Sequence, residues 1–117
     1  MSAYTRLTGW HVPVGGIGFE VSTPVPWELG AIGSGLWIIV PSGTRFDCSV
    51  PLFLRWAFDP LDPRYRKASC LHDWLLSVKG WGRVAAGAVF HDALAADGVP
   101  LWERLAMWLA VSLYRFA

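Results

Sequence analysis

The chain has 117 residues, of which 54% are hydrophobic and 16% charged, with ten Lys and Arg against nine Asp and Glu. The length fits one domain, and the apolar content suffices for a core, which excludes a disordered chain. A net charge of +1 lacks the basic excess that neutralises phosphates, so nucleic acid is not an expected partner.

Eight Trp are the compositional outlier. Trp is large, amphipathic and enriched at interfaces, so some are expected at contacts with further copies or with other proteins. Two cysteines, Cys48 and Cys70, make no disulfide framework and read as small buried hydrophobes. The first ten residues are polar and contain no apolar leader. The longest apolar run, Leu105 to Tyr114, is shorter than the roughly 20 residues of a bilayer span. A product made in the cytoplasm without a transmembrane segment is expected.

The character of the sequence changes near residue 50. Before it, Ile17–Ser22 reads as a strand, and Leu36–Val40 reads as a buried strand because it is continuous, apolar and β-branched. Pro41-Ser42-Gly43 signals a turn and Thr44–Cys48 a returning strand, so Leu36–Cys48 is expected as a hairpin. Gly15-Gly16 and the Gly30–Gly35 stretch are loop material without the context of a phosphate-binding loop. Then Leu52–Phe58 reads as a short helix. A longer helix starts where Asp62 can cap and Pro63 takes the first position. Its stripe of Ala68, Leu71, Leu75 and Val78 ends before Gly80. Helices over Gly82–Ala96 and Leu101–Arg115 follow, the last apolar nearly all round and therefore buried or docked. The expected fold is α+β in one domain, residues 1–50 β-rich and 51–117 helical: a small N-terminal antiparallel sheet or hairpin, then three or four packed helices.

Two of the three histidines sit in identical dipeptides, His72-Asp73 and His91-Asp92, each mid-way along a helix. If these helices fold back on each other at Gly80, both dipeptides reach similar heights, at about 1.5 Å per residue. His72 can then face His91 or Asp92, and a buried His beside a carboxylate can act as a base. Adjacent helical residues point about 100° apart, so His72 and Asp73 take different jobs. The triplet Asp47-Cys48-Ser49 ends a strand and either caps the next helix or presents a carboxylate to the helical layer. Asp47 is expected within hydrogen-bond reach of His72, because buried polar groups need partners. A Cys48–His72 nucleophile pair has no support in the spacing. Arg55, Arg64, Arg66 and Lys67 read as a solvated face with local ion pairs. A helix-borne His on an apolar face is also, commonly, a satisfied core residue.

Three motifs carry a resemblance. Val40-Pro41-Ser42-Gly43-Thr44-Arg45-Phe46-Asp47-Cys48-Ser49-Val50-Pro51 resembles the pattern V-P-x-G-F-x-T-D-G-A-S-I-P. Ser69-Cys70-Leu71-His72-Asp73-Trp74-Leu75-Leu76 resembles A-x-x-H-D-x-L-Y, and Ala86 to Leu94 resembles A-D-x-x-F-x-x-A-L. In this order they resemble a phage and prophage family catalogued as domain of unknown function 1353, over residues 36–116. The family's Thr before the Asp is Phe46 here, its Gly-Ala has shrunk to Cys48, and its acid in the third motif is Gly87. Secreted phospholipases A2 also place His-Asp on one helix, but their disulfides and calcium loop have no match, so that likeness is analogy.

The resemblance implies a virion-associated structural or adaptor protein of a tailed phage, of the tail or its tip. Its partners would be other virion proteins or further copies of itself, and its place the host cytoplasm and then the virion. The alternative is a small phage-encoded hydrolase of the host envelope, acting on peptidoglycan or lipid. There His72 and Asp92 would be catalytic, and Asp47 and Asp73 would hold calcium or zinc; the structural reading needs no cofactor.

Overall fold

The computed structural model describes residues 9–15, 18–30, 33–47 and 63–113. Five strands come first: β1 (His11–Gly15), β2 (Gly18–Val21), β3 (Val25–Glu28), β4 (Trp37–Val40) and β5 (Arg45–Asp47). A 3-10 turn at Pro63–Tyr65 leads into α1 (Arg66–Ser77), followed by α2 (Arg83–Ala96) and α3 (Leu101–Leu113). The arrangement is α+β, an antiparallel sheet region followed by three helices. The expected helix at Leu52–Phe58 and the cap at Asp62 lie outside the described residues.

The strands form two antiparallel sheets, ordered β1-β2-β5 and β3-β4. β2 alternates, with Phe19 and Val21 buried, which is the period-two signature of a half-buried strand. It pairs with β5 so that Phe19 lies opposite Phe46 and Glu20 opposite Arg45. The two Phe rings stack at 5.7 Å, and Trp10 stacks on Phe46 at 5.4 Å.

The hairpin expected over Leu36–Cys48 is not formed as a pair. β4 joins β3, with Val25 opposite Val40 and Glu28 opposite Trp37, while β5 joins β2. The Pro41-Ser42-Gly43 turn carries the chain from one sheet to the other. Gly43 N–H donates to Val21 O and Val21 N–H to Thr44 O, each at 2.8 Å, so the turn is sewn to β2 rather than folded back on β4. β1 and β3 escape the sequence reading because Pro13 and Pro26 argue against strands; both are outer strands, where proline is tolerated.

α1 is the centre of the fold. Lys67 through His72, Trp74 and Leu75 are all buried. One side meets β5 and the other α2. Gly80, mid-way in the connection to α2, has φ +69°, a conformation that a residue with a Cβ resists. Trp81 N–H then donates back to Leu75 O at 2.9 Å.

α2 packs on α1 and α3 on α2. α3 buries Met107, Ala110 and Val111 but leaves Leu101, Trp102, Leu105 and Leu109 exposed. Gly87 permits the α2–α3 contact: a Cβ built there would lie 2.9 Å from Ser112 Oγ and 3.6 Å from Val111 Cγ2. The position where the family pattern has an acid is therefore a helix-packing position in this chain. Restoring the acid with Gly87→Asp would force a carboxylate against Ser112, Val111 and Trp108. We expect a loss of about 2–4 kcal/mol, read from urea unfolding at neutral pH; unchanged stability would refute the close contact.

Candidate functional site

The site is built where α1 crosses the sheet. Arg66, Ser69 and Asp73 recur at helical spacing and so share one face of α1. At one end the Arg66 guanidinium lies over the Phe19 ring at 4.7 Å, with Nη1 3.4 Å from His11 Nε2. At the other end the main-chain N–H of Asp47 donates to Asp73 Oδ2 at 2.9 Å. Ser69 is 2% exposed between them, and its Oγ has no hydrogen-bond partner among the described residues.

Burial pushes the Asp73 carboxyl up to about 7. The bond from Asp47 N–H pulls the other way, and the nearby Asp47 carboxylate adds to the rise. Protonated and ionised forms are thus both populated at neutral pH. The same burial, with Asp73 nearby, pushes the Cys70 thiol up, so it stays protonated. Burial and the Arg66 charge push His11 down.

His72 is turned away from this seam. It is 6% exposed, its ring lies 5.2 Å from that of Phe90 on α2, and its Nε2 is buried without a hydrogen-bond partner among the described residues. Burial pushes its pKa down to about 4, so it is neutral at neutral pH. The expected hydrogen bond between Asp47 and His72 is not made; Asp73, one residue on, meets the strand instead. The roughly 100° turn between adjacent helical residues sends one side chain to the sheet and the other to α2.

His72 does not meet His91 or Asp92 either. Phe90 meets His72 across the helix interface, and at about 100° per residue its two successors rotate away. His91 accepts a hydrogen bond from Arg104 Nε at 3.3 Å and lies edge-on to Trp108 at 6.4 Å, both on α3. Asp92 is exposed, with Oδ1 3.5 Å from His91 Nδ1.

Asp47 and Asp73, the metal ligands of the hydrolase reading, are neighbours through the Asp47 main-chain N–H. Their oxygens suit a hard cation such as calcium better than zinc, but calcium takes 6–8 oxygens and zinc four ligands. Among the described residues no group of three or more His, Cys, Asp or Glu is gathered to complete such a set. Cys48, Ser49 and Arg55 lie outside the described residues.

The basic cluster is not the solvated face expected. Lys67 Nζ lies 3.5 Å from Asp97 Oδ1 with both side chains nearly buried. Glu103 accepts from Tyr65 Oη at 2.8 Å and Arg64 Nη2 at 3.1 Å. These links join the start of α1 to the end of α2 and the first turn of α3. Their partners lie 30 or more residues apart in sequence, so no local pattern announces them.

Residues 25–111 match the family described as "Protein of unknown function (DUF1353)". The chain belongs to this family. It is also 36% identical over 84 residues to "Uncharacterized protein y4jT" of Sinorhizobium fredii (strain NBRC 101917 / NGR234), a match covering 69% of this chain and 25% of that protein. The chain thus spans about a quarter of the relative's length. No solved structure matches it. Asp47 on β5 and Asp73 on α1 lie in the segments that resemble the family's first and second motifs, and in this DUF1353 member a hydrogen bond from the Asp47 main chain joins them.

His72 and Asp73 have opposite effects on stability against pH. His72 has a folded pKa of about 4, below its unfolded value of 6.5. The unfolded chain takes up that proton first, so stability falls as pH drops from 6.5 towards 4. Asp73 has a folded pKa of about 7, above its unfolded 3.8. There the folded chain holds the proton, so stability falls as pH rises from 3.8 towards 7. The two slopes oppose each other across nearly the same window. Asp73→Asn, which can still accept from Asp47 N–H, should match wild type near the acid end and exceed it by about 2–4 kcal/mol above pH 7. His72→Leu should show the reverse slope, its stability falling with pH across the window. Urea unfolding at several pH values checks both, and parallel curves for the three proteins would refute the assignment.

Proposed function

We propose that this chain is a structural or adaptor component of a tailed-phage virion, of the tail or its tip. The observation that carries the reading is the amount of large apolar surface left in solvent: Trp37 and Ile39 on β4, and Leu101, Trp102, Leu105 and Leu109 on α3. Contiguous exposed apolar surface marks interaction sites. The His-Asp motif fits the same reading, because His72 is packed inside the fold and Asp73 ties helix to strand.

The test is made on particles. A bacterium carrying this gene in a prophage is induced, and virions are purified by density gradient and analysed by mass spectrometry. The chain should co-purify at a fixed ratio to known tail proteins, and its deletion should leave tail-less or non-adsorbing particles. Its absence from clean particles, with folded chain in the lysate, would overturn the reading.

A second reading, a small hydrolase of the host envelope, is favoured by one observation: the Asp73 carboxyl, held near 7 beside Asp47. Acid–base catalysis works best with a group poised near the working pH. In this reading Asp73, rather than His72 or Asp92, carries the proton. Wild type is expected to release soluble products from peptidoglycan or phospholipid vesicles, assayed with and without calcium or zinc, and Asp73→Asn to lose at least about a hundredfold in rate while staying folded. No release from either substrate by folded wild type removes the hydrolase.

A further inference from the structure

Among the described residues, every sheet edge but one carries a guard against pairing. β1 has Pro13 and a register break between Pro13 and Gly15. β5 is three residues long and carries Arg45 and Asp47. β3 carries Pro26 and Glu28. β4, Trp37-Ile38-Ile39-Val40, has no proline, no charge and no bulge. A bare edge of this kind is a template for another strand.

The hydrogen-bond phase shows which groups β4 offers. Leu29 N–H donates to Leu36 O at 2.7 Å, so that pair is a bonded one. Bonded and non-bonded pairs alternate along an antiparallel ladder. Trp27–Ile38 and Val25–Val40 are therefore bonded, and Glu28–Trp37 and Pro26–Ile39 are not. Pro26, without an N–H, falls at a position where the ladder needs none. By the same alternation, the N–H and C=O of Trp37 and Ile39 point away from β3. Their side chains, 50% and 54% exposed, stand on one face of the sheet.

We propose that β4 pairs antiparallel with β4 of a second copy of this chain, about a twofold axis at Ile38. In that register Trp37 meets Ile39 of the other copy, and Ile39 meets its Trp37. Each meeting exchanges hydrogen bonds in both directions, using the outward groups just identified. It also sets an aromatic ring against a β-branched chain twice over, a favourable cross-strand pair. Self-pairing is singled out because the two outward positions complement each other. A two-stranded sheet is marginal alone, and joining two copies makes a four-stranded one. The new outer edges are both β3, with Pro26 and Glu28, so assembly stops at two copies. This explains why the guards sit on β3 and not on β4. The inference stands apart from the virion reading, since it is decided in purified protein.

The experiment uses the full chain, by analytical ultracentrifugation over a dilution series together with backbone amide hydrogen exchange. A dimer is expected at high concentration, with the Trp37 and Ile39 amides protected in it and released on dilution. The Ile38 amide, already bonded to β3, should not change. Ile39→Lys, which keeps the main chain, and Ile39→Pro, which removes only an outward N–H, should each weaken association more than about tenfold. Melting of the diluted protein should hold. A chain that stays monomeric at submillimolar concentration overturns the proposal. So does a dimer whose Trp37 and Ile39 amides exchange freely, which would move the contact elsewhere, for instance to α3. If a variant fails to fold, the exchange pattern of wild type decides alone.

Discussion

The burial of α1 is the constraint on which the rest of the structure depends. A short helix covered by a sheet on one side and a helix on the other has little water-facing surface, yet this one carries Arg66, Lys67, Ser69, His72 and Asp73. Buried polar groups must be neutral or paired. Three of these side chains make tertiary links. Lys67 reaches Asp97 near the end of α2, Arg66 lies on the Phe19 ring, and Asp73 takes the Asp47 N–H from the last strand. His72 stays uncharged among apolar neighbours. The sheet and the outer helices are thus positioned by the polar side chains of the helix between them, as well as by apolar packing.

Neighbouring residues on that helix meet burial differently because they face different layers. His72, an unpartnered base, is pushed towards its neutral form; Asp73, an acid beside another acid, is pushed towards its own neutral form. Both shifts lower charge inside the fold. That is what desolvation alone demands, so perturbed values here are not by themselves the mark of a catalytic centre. Asp73 differs from His72 in sitting next to a second carboxyl, which is why it, and not the histidine, carries the chemical alternative.

The helical half of the fold was legible because its signals are local: the Pro63 start, the Gly80 stop and the Asp97-Gly98 end each lie within three residues of an observed boundary. The pairing of strands was not. β4 and β5 are joined by a turn signal that normally closes a hairpin, and only the hydrogen bonds of Gly43 and Thr44 with Val21 reveal that the chain changes sheets. For the site, motif matching located Asp47, His72 and Asp73, and helical geometry said that the last two diverge. Which of them meets the strand depends on the rotation of α1 about its axis. That rotation depends on long-range core packing, in which Leu71, Leu75 and Phe90 are buried, and which no short window contains. Ser69 and the Tyr65–Glu103 contact were missed for the same reason.

The exposed apolar residues follow from the same economy of space. With α1 covered, α3 can bury only the face it turns to α2, where Gly87 admits it closely. A helix apolar nearly all round therefore keeps Leu101, Leu105 and Leu109 in solvent, one above another at intervals of four. In the sheet, β4 likewise has one face for the core, ending in the fully buried Val40, and one that holds Trp37 and Ile39 outward. Polar substitutions at these sites would leave the observed core untouched. In the adaptor reading and in the paired β4 strands that we propose, these exposed side chains are the ones covered by contacts beyond the chain.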